Sequence, residues 1–287
     1  MSNSSSTLIT GGSGFIGTNL VEHLISRQHR VLNVDIEPPR CSKHVAYWRQ
    51  CDIRDQKALQ TICQDFSPKT IIHLAARTDL NGGTLEDYSG NTEGTQSLLT
   101  VTRKCPSVRR CLWASSKFVC KNGYAPQHDN DFCPDTVYGE SKVVGERILH
   151  EALDEAPWLD WGIGRPTSIW GPWFSEPYLD FFMTIYKKRF FNIQGLNPPR
   201  HFGYVGNAIT QLESLMNAPV ADIQGRVFYL ADYDVYHVVD WAHAIAKRLG
   251  GRRSTPHSIP YTLAAFAALV GDVLKACGWK KPPLTSF

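Results

Sequence analysis

The chain has 287 residues, 43% of them hydrophobic and 20% charged, a globular balance that excludes disordered and collagen-like architectures. Thirty Lys and Arg against 27 Asp and Glu leave a formal charge of +3, too even to point to nucleic acid, although a local basic patch would still suit an anionic substrate. The length accommodates one large α/β domain, or a nucleotide-binding domain with a small second lobe.

Met1 to Thr7 is polar and serine-rich, a frayed tail with no basic segment leading into an apolar one, so no secretory signal is expected. Leu8–Thr10 reads as a strand entering a glycine cluster. Phe15–Ser26 follows as a helix, with Phe15, Ile16, Leu20 and Leu24 near a 3.6-residue period. Val31–Val34 is a second strand ending at Asp35. Gln56–Cys63 reads as a helix, Thr70–Leu74 as a β-branched strand, Glu93–Lys104 as a helix and Arg110–Ala114 as a further strand. Near-continuous apolar strands alternating with helices predict an α/β fold, a doubly wound parallel sheet covered on both faces. From Gly171 the texture changes. Pro, Gly and aromatic residues cluster at Gly171-Pro172-Trp173, Glu176-Pro177-Tyr178 and Asn197-Pro198-Pro199, which reads as loops and short helices on the sheet edge. The expected division is 1–170 as the nucleotide-binding domain and 171–287 as a small C-terminal substrate lobe, part of it returning to the sheet. Leu263–Val270 is the longest apolar run near the C-terminus. It is too short to span a bilayer and is expected to be a buried or dimer-forming helix, with contact at a membrane surface as the alternative. Eight scattered cysteines, at 41, 51, 63, 105, 111, 120, 133 and 277, include no Cys-x-x-Cys pair, and no His pair has zinc spacing. Reduced thiols in a cytoplasmic protein are expected, without a metal site.

Two motifs carry chemistry. Thr10-Gly11-Gly12-Ser13-Gly14-Phe15-Ile16-Gly17 sits between strand and helix. Gly11 permits the tight turn, Gly14 lets a pyrophosphate approach the backbone, and Gly17 lets the helix pack on the strand. The helix N-terminus then offers N–H groups to the phosphates. Asp35 falls 18 residues after Gly17, where a carboxylate accepts both ribose hydroxyls of NAD and repels the 2′-phosphate of NADP; no arginine follows immediately. Further on, Tyr138 and Lys142 stand at i and i+4 on one helix face, after a strand that ends in Ser115-Ser116. A phenol titrating near 10 is a poor base at neutral pH. A cation about 4 Å away contributes on the order of 4 kcal/mol at an effective dielectric near 20, equivalent to roughly 3 pKa units. Lys142, together with an oxidised nicotinamide, is therefore expected to make Tyr138 a competent base, with Ser116 donating a hydrogen bond to the oxygen at the reacting carbon.

Five signatures occur in order: the glycine loop, Asp52-Ile53, His73-Leu74-Ala75-Ala76, Tyr138 with Lys142, and Arg165-Pro166-Thr167 with Trp170-Gly171-Pro172. Over roughly residues 7–210 the chain resembles the extended short-chain dehydrogenase/reductase family, in its NAD-dependent epimerase/dehydratase group. The resemblance implies a Rossmann fold, NAD as cofactor, a nucleotide-sugar substrate and a homodimer built on the helices at Glu93–Lys104 and Tyr138–Leu153. It also implies that Phe15 and Ile16 belong to the cofactor loop, that Asp52 and Ile53 meet the adenine, and that Ala75, Ala76 and Arg77 follow the phosphate–ribose segment. Asn91 would stand in the helix beside the cofactor, Pro166 and Thr167 at the nicotinamide end, and Lys117 and Arg200 toward the substrate, Arg200 on its diphosphate. The departures are also informative. Ser116-Lys117-Phe118 replaces the Thr-Asp-Glu run of sugar 4,6-dehydratases, and sugar decarboxylases keep a glutamate at the Phe118 position, so both chemistries are disfavoured. Cys120-Lys121 replaces the usual Tyr-Gly, and Tyr204-Val205-Gly206-Asn207 lacks the acids of the family's His-Val-Asp-Asp. The favoured reading is an epimerase acting at C4 of a nucleotide-linked hexose through a transient 4-keto sugar. A reductase or dehydrogenase of a keto-sugar nucleotide or a sterol-like alcohol stays open, the apolar C-terminal helix and the Pro282-Pro283-Leu284-Thr285 ending resembling the steroid branch. A non-catalytic NAD(H)-binding sensor also stays open.

Overall fold

The computed structural model describes residues 6–153, 158–174, 178–250 and 257–276. Ser2–Ser5, Glu176, Pro177, Cys277 and the Pro282–Thr285 ending therefore lie outside the described residues. In chain order the elements are β1 (Ser6–Thr10), α1 (Phe15–Ser26), β2 (Arg30–Asp35), β3 (Trp48–Gln50), α2 (Gln56–Phe66), β4 (Thr70–His73), α3 (Ser89–Arg103), β5 (Arg110–Ala114), α4 (Val137–Leu153), β6 (Asp160–Pro166), β7 (Ser168–Trp170), α5 (Tyr178–Tyr186), β8 (Phe191–Ile193), β9 (Pro199–Tyr204), α6 (Val205–Asn217), α7 (Val220–Ile223), β10 (Arg226–Leu230), β11 (Val235–His237), α8 (Val238–Gly250), β12 (His257–Ile259) and α9 (Tyr261–Ala276).

Seven strands form one parallel sheet in the order β10-β6-β5-β4-β1-β2-β3. Alternation along its central strands feeds two separate cores. Leu8, Ile71, Cys111 and Trp113 point to one face, where Leu59 of α2, Leu98 of α3 and Leu149 of α4 meet them. Ile9, Ile72 and Leu112 point to the other, against Leu20 and Leu24 of α1 and Ile209 and Leu212 of α6. The period of two in each strand and the cover on both faces together explain why the strands are apolar throughout. Asp55 caps α2, its Oδ1 accepting from Ala58 N at 3.0 Å, so this helix starts at a defined residue although its N-terminus is exposed.

The chain divides into two compact units, one of residues 1–173 and 202–232, the other of 174–201 and 233–287. The larger contains the seven-stranded sheet, and within it β7 pairs in parallel with Phe202–Tyr204 of β9. The smaller has its own small core of Ile185, Ala242 and Ala246 with Phe181 and Phe190 around them. In it Pro199–His201 pair antiparallel with β11, and β8 pairs in parallel with β12. The region after Gly171 is more regular than its composition suggests. The 13-residue α6 buries Val205, Ala208, Ile209, Leu212 and Met216, a helical stripe that the neighbouring Pro, Gly and aromatic clusters obscure. Of the expectation of a buried or dimer-forming helix at Leu263–Val270, the buried alternative does not hold. The run belongs to α9, and Leu263, Phe266 and Leu269 are 56%, 66% and 62% exposed. No helix among the described residues is long and apolar enough to cross a membrane.

Candidate active site

The glycine loop is built by sterics. Gly11 has φ +74°, and a Cβ there would lie 2.4 Å from Ala75 N. A Cβ on Gly17 would lie 2.1 Å from Gly11 O and 2.6 Å from Gly12 Cα, so α1 and the turn touch backbone to backbone. Gly14 is the N-cap of α1, with no side chain capping the helix, and a Cβ there would meet only Gly11 O at 3.1 Å. The N-terminus of α1 thus carries no side-chain cap and little bulk at its entry, the arrangement a pyrophosphate needs. Phe15 and Ile16, half-buried, open the helix and pack on the core beneath it. Asp35 closes the other side of the turn. Its Oδ2 accepts from Ser13 N at 2.9 Å and its Oδ1 from Glu37 N at 3.0 Å. Burial raises its pKa above the ordinary carboxylate value, opposed by those N–H groups. Each carboxylate oxygen keeps acceptor capacity for a ribose hydroxyl. The cradle, the open helix end and the carboxylate fit a dinucleotide.

Around this turn runs a chain of buried hydrogen bonds. Ala75 N donates to Thr10 Oγ1 at 3.4 Å, and Thr10 Oγ1 lies 2.7 Å from His73 Nδ1. His73 Nε2 lies 3.3 Å from Thr95 Oγ1, which itself donates to Asn91 O at 2.8 Å. Because Thr95 has spent its proton on Asn91, His73 must donate through Nε2 and accept at Nδ1, the neutral tautomer. Burial, with the Lys142 charge adding to it, pushes the His73 pKa down to about 3.

Asn91 is a brace. Its Oδ1 accepts from Arg77 N at 2.8 Å, while its Nδ2 donates to Arg77 O at 3.0 Å and to Ser141 Oγ at 2.9 Å. Both amide protons are committed, so Asn91 fixes the segment Ala75-Ala76-Arg77 against α4. The Arg77 guanidinium is likewise engaged, with Asp79 at 2.8 Å and Asp87 O at 3.0 Å. Asp52 is held by Arg54 at 2.6 Å, and the buried Ile53 fills the space above Gly94, where an added Cβ would lie 2.5 Å from its Cδ1. Pro166 ends β6, and Thr167 is pinned through both N and Oγ1 to Leu230 O, each at 3.1 Å.

Ser116, Tyr138 and Lys142 converge at the end of β5. Tyr138 is 7% exposed, its ring near those of Tyr88 and Phe118. Burial raises the phenol pKa, and a hydrogen bond from Ser116 opposes the rise. The sequence reading expected a lowering from Lys142 and nicotinamide jointly. In the protein alone desolvation wins, because the ring is enclosed and Lys142 Nζ is directed to Ala114 O at 3.1 Å. Lys142 is itself brought down to about 8 by burial, opposed by Glu146. Lys117 Nζ reaches Ser168 Oγ at 3.2 Å, beyond Thr167. Arg200 lies in the smaller unit, exposed, opposite Tyr236 in the β9–β11 register; every other residue named above lies in the larger unit.

Three contributions escaped the sequence reading. Arg40 Nε donates to Ser13 O at 3.1 Å, which brings a guanidinium to the Asp35 turn. Asn33 Nδ2 donates to Ser13 Oγ at 3.0 Å beneath the glycine loop. Glu146 receives Arg165 through Nε at 2.9 Å and Nη2 at 2.6 Å, both side chains 1% exposed. Only the last had a readable signal, since Glu146 is four residues beyond Lys142 on the same helix face. Glu22, Cys41 and His44 are grouped within 4.8 Å. His44 Nε2 and Glu22 Oε2 stand 2.6 Å apart, a hydrogen-bond distance. Two ligands of one tetrahedral zinc ion, each about 2.0–2.1 Å from it, would sit roughly 3.3 Å apart.

Residues 7–231 match the NAD dependent epimerase/dehydratase family. Among curated proteins, a 3-beta-hydroxysteroid dehydrogenase of Mycolicibacterium neoaurum is 33% identical over 177 residues, 57% of this chain and 47% of that protein. The chain thus spans about half of this relative's length. The N-acetyl-alpha-D-glucosaminyl-diphospho-ditrans,octacis-undecaprenol 4-epimerase of Escherichia coli O157:H7 is 26% identical over 290 residues, 97% of this chain and 82% of that protein. Among solved structures, a UDP-glucose 4-epimerase of Thermotoga maritima superposes with a TM-score of 0.73 at 20% identity, over 89% of this chain and 85% of that one, a likeness of fold. With the glycine cradle, the Asp35 carboxylate beside it and the Ser116, Tyr138 and Lys142 side chains in place, the match over most of its length establishes that this chain belongs to the NAD dependent epimerase/dehydratase family.

Proposed function

We propose that this protein is an NAD-dependent epimerase that inverts C4 of a hexose carried on a diphosphate. The observation that carries this reading is the convergence of Ser116, Tyr138 and Lys142 with no carboxylate at the two following positions, Lys117 and Phe118. Bound NAD would supply the acceptor, and afterwards the donor, of the C4 hydride. Gly11, Gly14 and Gly17 would admit its pyrophosphate to the N-terminus of α1, and Asp35 would take its ribose hydroxyls. Tyr138 removes the proton of the C4 hydroxyl and returns it after the 4-keto sugar has turned over, so net redox is zero. The Ser116 hydroxyl, whose single proton is directed to the Tyr138 oxygen, would turn it to the substrate oxygen and stabilise charge there. Lys142, held beneath by Ala114 O, supplies the positive field that favours phenolate. The dehydratase route lacks its acid and base at Lys117 and Phe118. The 4-epimerase relative, aligned over 97% of this chain, supports the sugar-diphosphate class.

The dehydrogenase reading is favoured by the steroid dehydrogenase relatives, 33% identical over 57% of this chain and 27% over 85%. The two readings share the trio and separate on redox balance. Protein incubated with UDP-, dTDP- and GDP-hexoses and catalytic NAD is expected to yield the C4 epimer without accumulating NADH. Stoichiometric NADH formation from a hydroxysteroid, with no sugar converted, would replace the epimerase by the dehydrogenase. Tyr138→Phe is expected to lower turnover by about a thousandfold or more while NAD affinity stays within a factor of about two; unchanged turnover would remove Tyr138 from the chemistry.

A further inference from the structure

Helix α9 is inverted relative to a helix that faces water. Ala264 and Gly271 are buried and Ala267, Ala268 and Leu274 half-buried, so its inward side is made mostly of small residues. Its large apolar residues face outward: Leu263, Phe266, Leu269, Val270 and Val273 are 43–66% exposed. At 100° per residue these five fall within about 120° of arc, one continuous stripe. A helix covering its own core does the opposite, and an exposed stripe of this kind marks an interaction surface. The charge of the surrounding sequence is uneven. Residues 247–287 carry seven basic residues, Lys247, Arg248, Arg252 and Arg253 before the helix and Lys275, Lys280 and Lys281 at and after its end, against the single acid Asp272. The rest of the chain is net acidic, because the whole carries only +3. Tyr261 at the first turn and Trp279 in the following sequence add residue types that favour the headgroup level. The 16 residues of α9 extend about 24 Å, short of the roughly 30 Å hydrocarbon core, so the helix suits lying in a surface rather than crossing.

We propose that α9 docks this protein on an anionic lipid bilayer, apolar stripe down, the basic excess of residues 247–287 matching the charge of the headgroups, and that the sugar diphosphate it epimerises is anchored in that bilayer. The second clause rests on the function proposed above; the docking stands on α9 itself. A second copy of the chain suits the face less well. The stripe offers on the order of 500 Å², below the roughly 800 Å² that each partner contributes to a standard stable interface, and a second copy carries the same basic excess in residues 247–287 and no complementary acidic one there.

The test is co-sedimentation of the full chain with phosphatidylcholine vesicles, with and without phosphatidylglycerol, beside a Phe266→Gln, Leu269→Gln, Val273→Gln variant. Glutamine keeps helix propensity, and circular dichroism and NAD affinity report folding. Wild type is expected on the anionic vesicles, about tenfold more weakly on neutral vesicles or at high salt, and on the order of a hundredfold more weakly once the three apolar residues are replaced. Wild type remaining in the supernatant with both lipids overturns the proposal. A wild-type dimer in analytical ultracentrifugation that becomes monomeric in the variant also overturns it and assigns the face to a second copy. Turnover of soluble UDP-hexose and of a polyprenyl-diphosphate hexose presented in the same vesicles is assayed on both proteins. Binding with neither sugar converted leaves the docking and removes the epimerase reading, binding with only the soluble sugar converted removes the anchored substrate, and turnover without binding leaves the epimerase reading and removes the docking.

Discussion

Tyr138, Lys142, Asp35 and the glycines are legible in one dimension because the role proposed for each rests on its own chemical type at a fixed spacing. His73 is not. Its motif marks the end of a strand and assigns the ring no partner, whereas the ring is a neutral strut between Thr10 of β1 and Thr95 of α3. Such roles depend on who donates to whom, which only the assembled partners decide. The strut has a consequence for acid stability. His73 is brought from 6.5 to about 3 by burial, so the folded state resists a proton that the unfolded chain accepts. Unfolding free energy is therefore complete above about pH 6.5 and falls as pH drops toward 3, by up to several kcal/mol. Urea unfolding at a series of pH values is expected to follow that slope, and His73→Gln, which cannot titrate, to flatten it while lowering stability at pH 7. A wild-type curve flat from pH 6.5 to 4 would mean that the ring titrates freely. Lys142 acts in the alkaline range with the same sign. Its folded value near 8 lies below the ordinary 10.5, so its burial penalty is fully present below pH 8 and is relieved as pH rises toward 10.5.

Helix α4 carries two layers of function. Its first turns present Tyr138 and Lys142, and one turn further Glu146 meets Arg165 of β6 with both side chains buried. The first layer is readable as an i, i+4 pair. The second is hidden because its partner is 19 residues away on a strand. Removing only the arginine leaves a carboxylate with no counter-charge in a dry interior, which costs about 3–5 kcal/mol, whereas replacing both charges with neutral groups of similar volume is often near neutral. Arg165→Met is accordingly expected to lose about 3–5 kcal/mol in chemical denaturation, and Arg165→Met with Glu146→Gln to recover most of it. Equal losses in the single and double variants would show that the pair contributes through packing against Phe132 and Tyr229. The strand elements were legible for a plainer reason. Runs such as Leu8–Thr10 and Arg110–Ala114 are apolar on both sides and bounded by turns, whereas β3 is three residues long, two of them exposed, and offers no pattern. Helix α9 misled for the converse reason. An element apolar all round is the same string whether it is buried or laid on a surface, and only the position of its alanines distinguishes the two.

At the scale of the whole chain, legibility follows the division into units. The motifs, and the family match over residues 7–231, cover the larger unit and part of the smaller. Residues 233–276 carry no motif, because they fold around a small local core that many apolar sequences would satisfy. The same division predicts where cofactor binding is felt. Every residue proposed to hold NAD belongs to the larger unit, and the groups it would engage are backbone N–H donors and loop segments at 11–17, 35–40 and 75–77. A ligand that binds only the folded state stabilises by RT ln(1 + [L]/Kd), about 2.7 kcal/mol at a hundred times Kd. For a domain of this size that corresponds to a rise of roughly 5–10 °C in Tm. Hydrogen exchange with NAD at that excess is expected to slow first in those three segments and in the first turns of α4, then across the seven-stranded sheet, while α5, α8 and α9 exchange as before. Equal slowing in α5 and α8 would place part of the cofactor's binding energy in the smaller unit. The first turns of the α-helices would then no longer suffice to describe the site, and Arg200 would be the first residue to substitute.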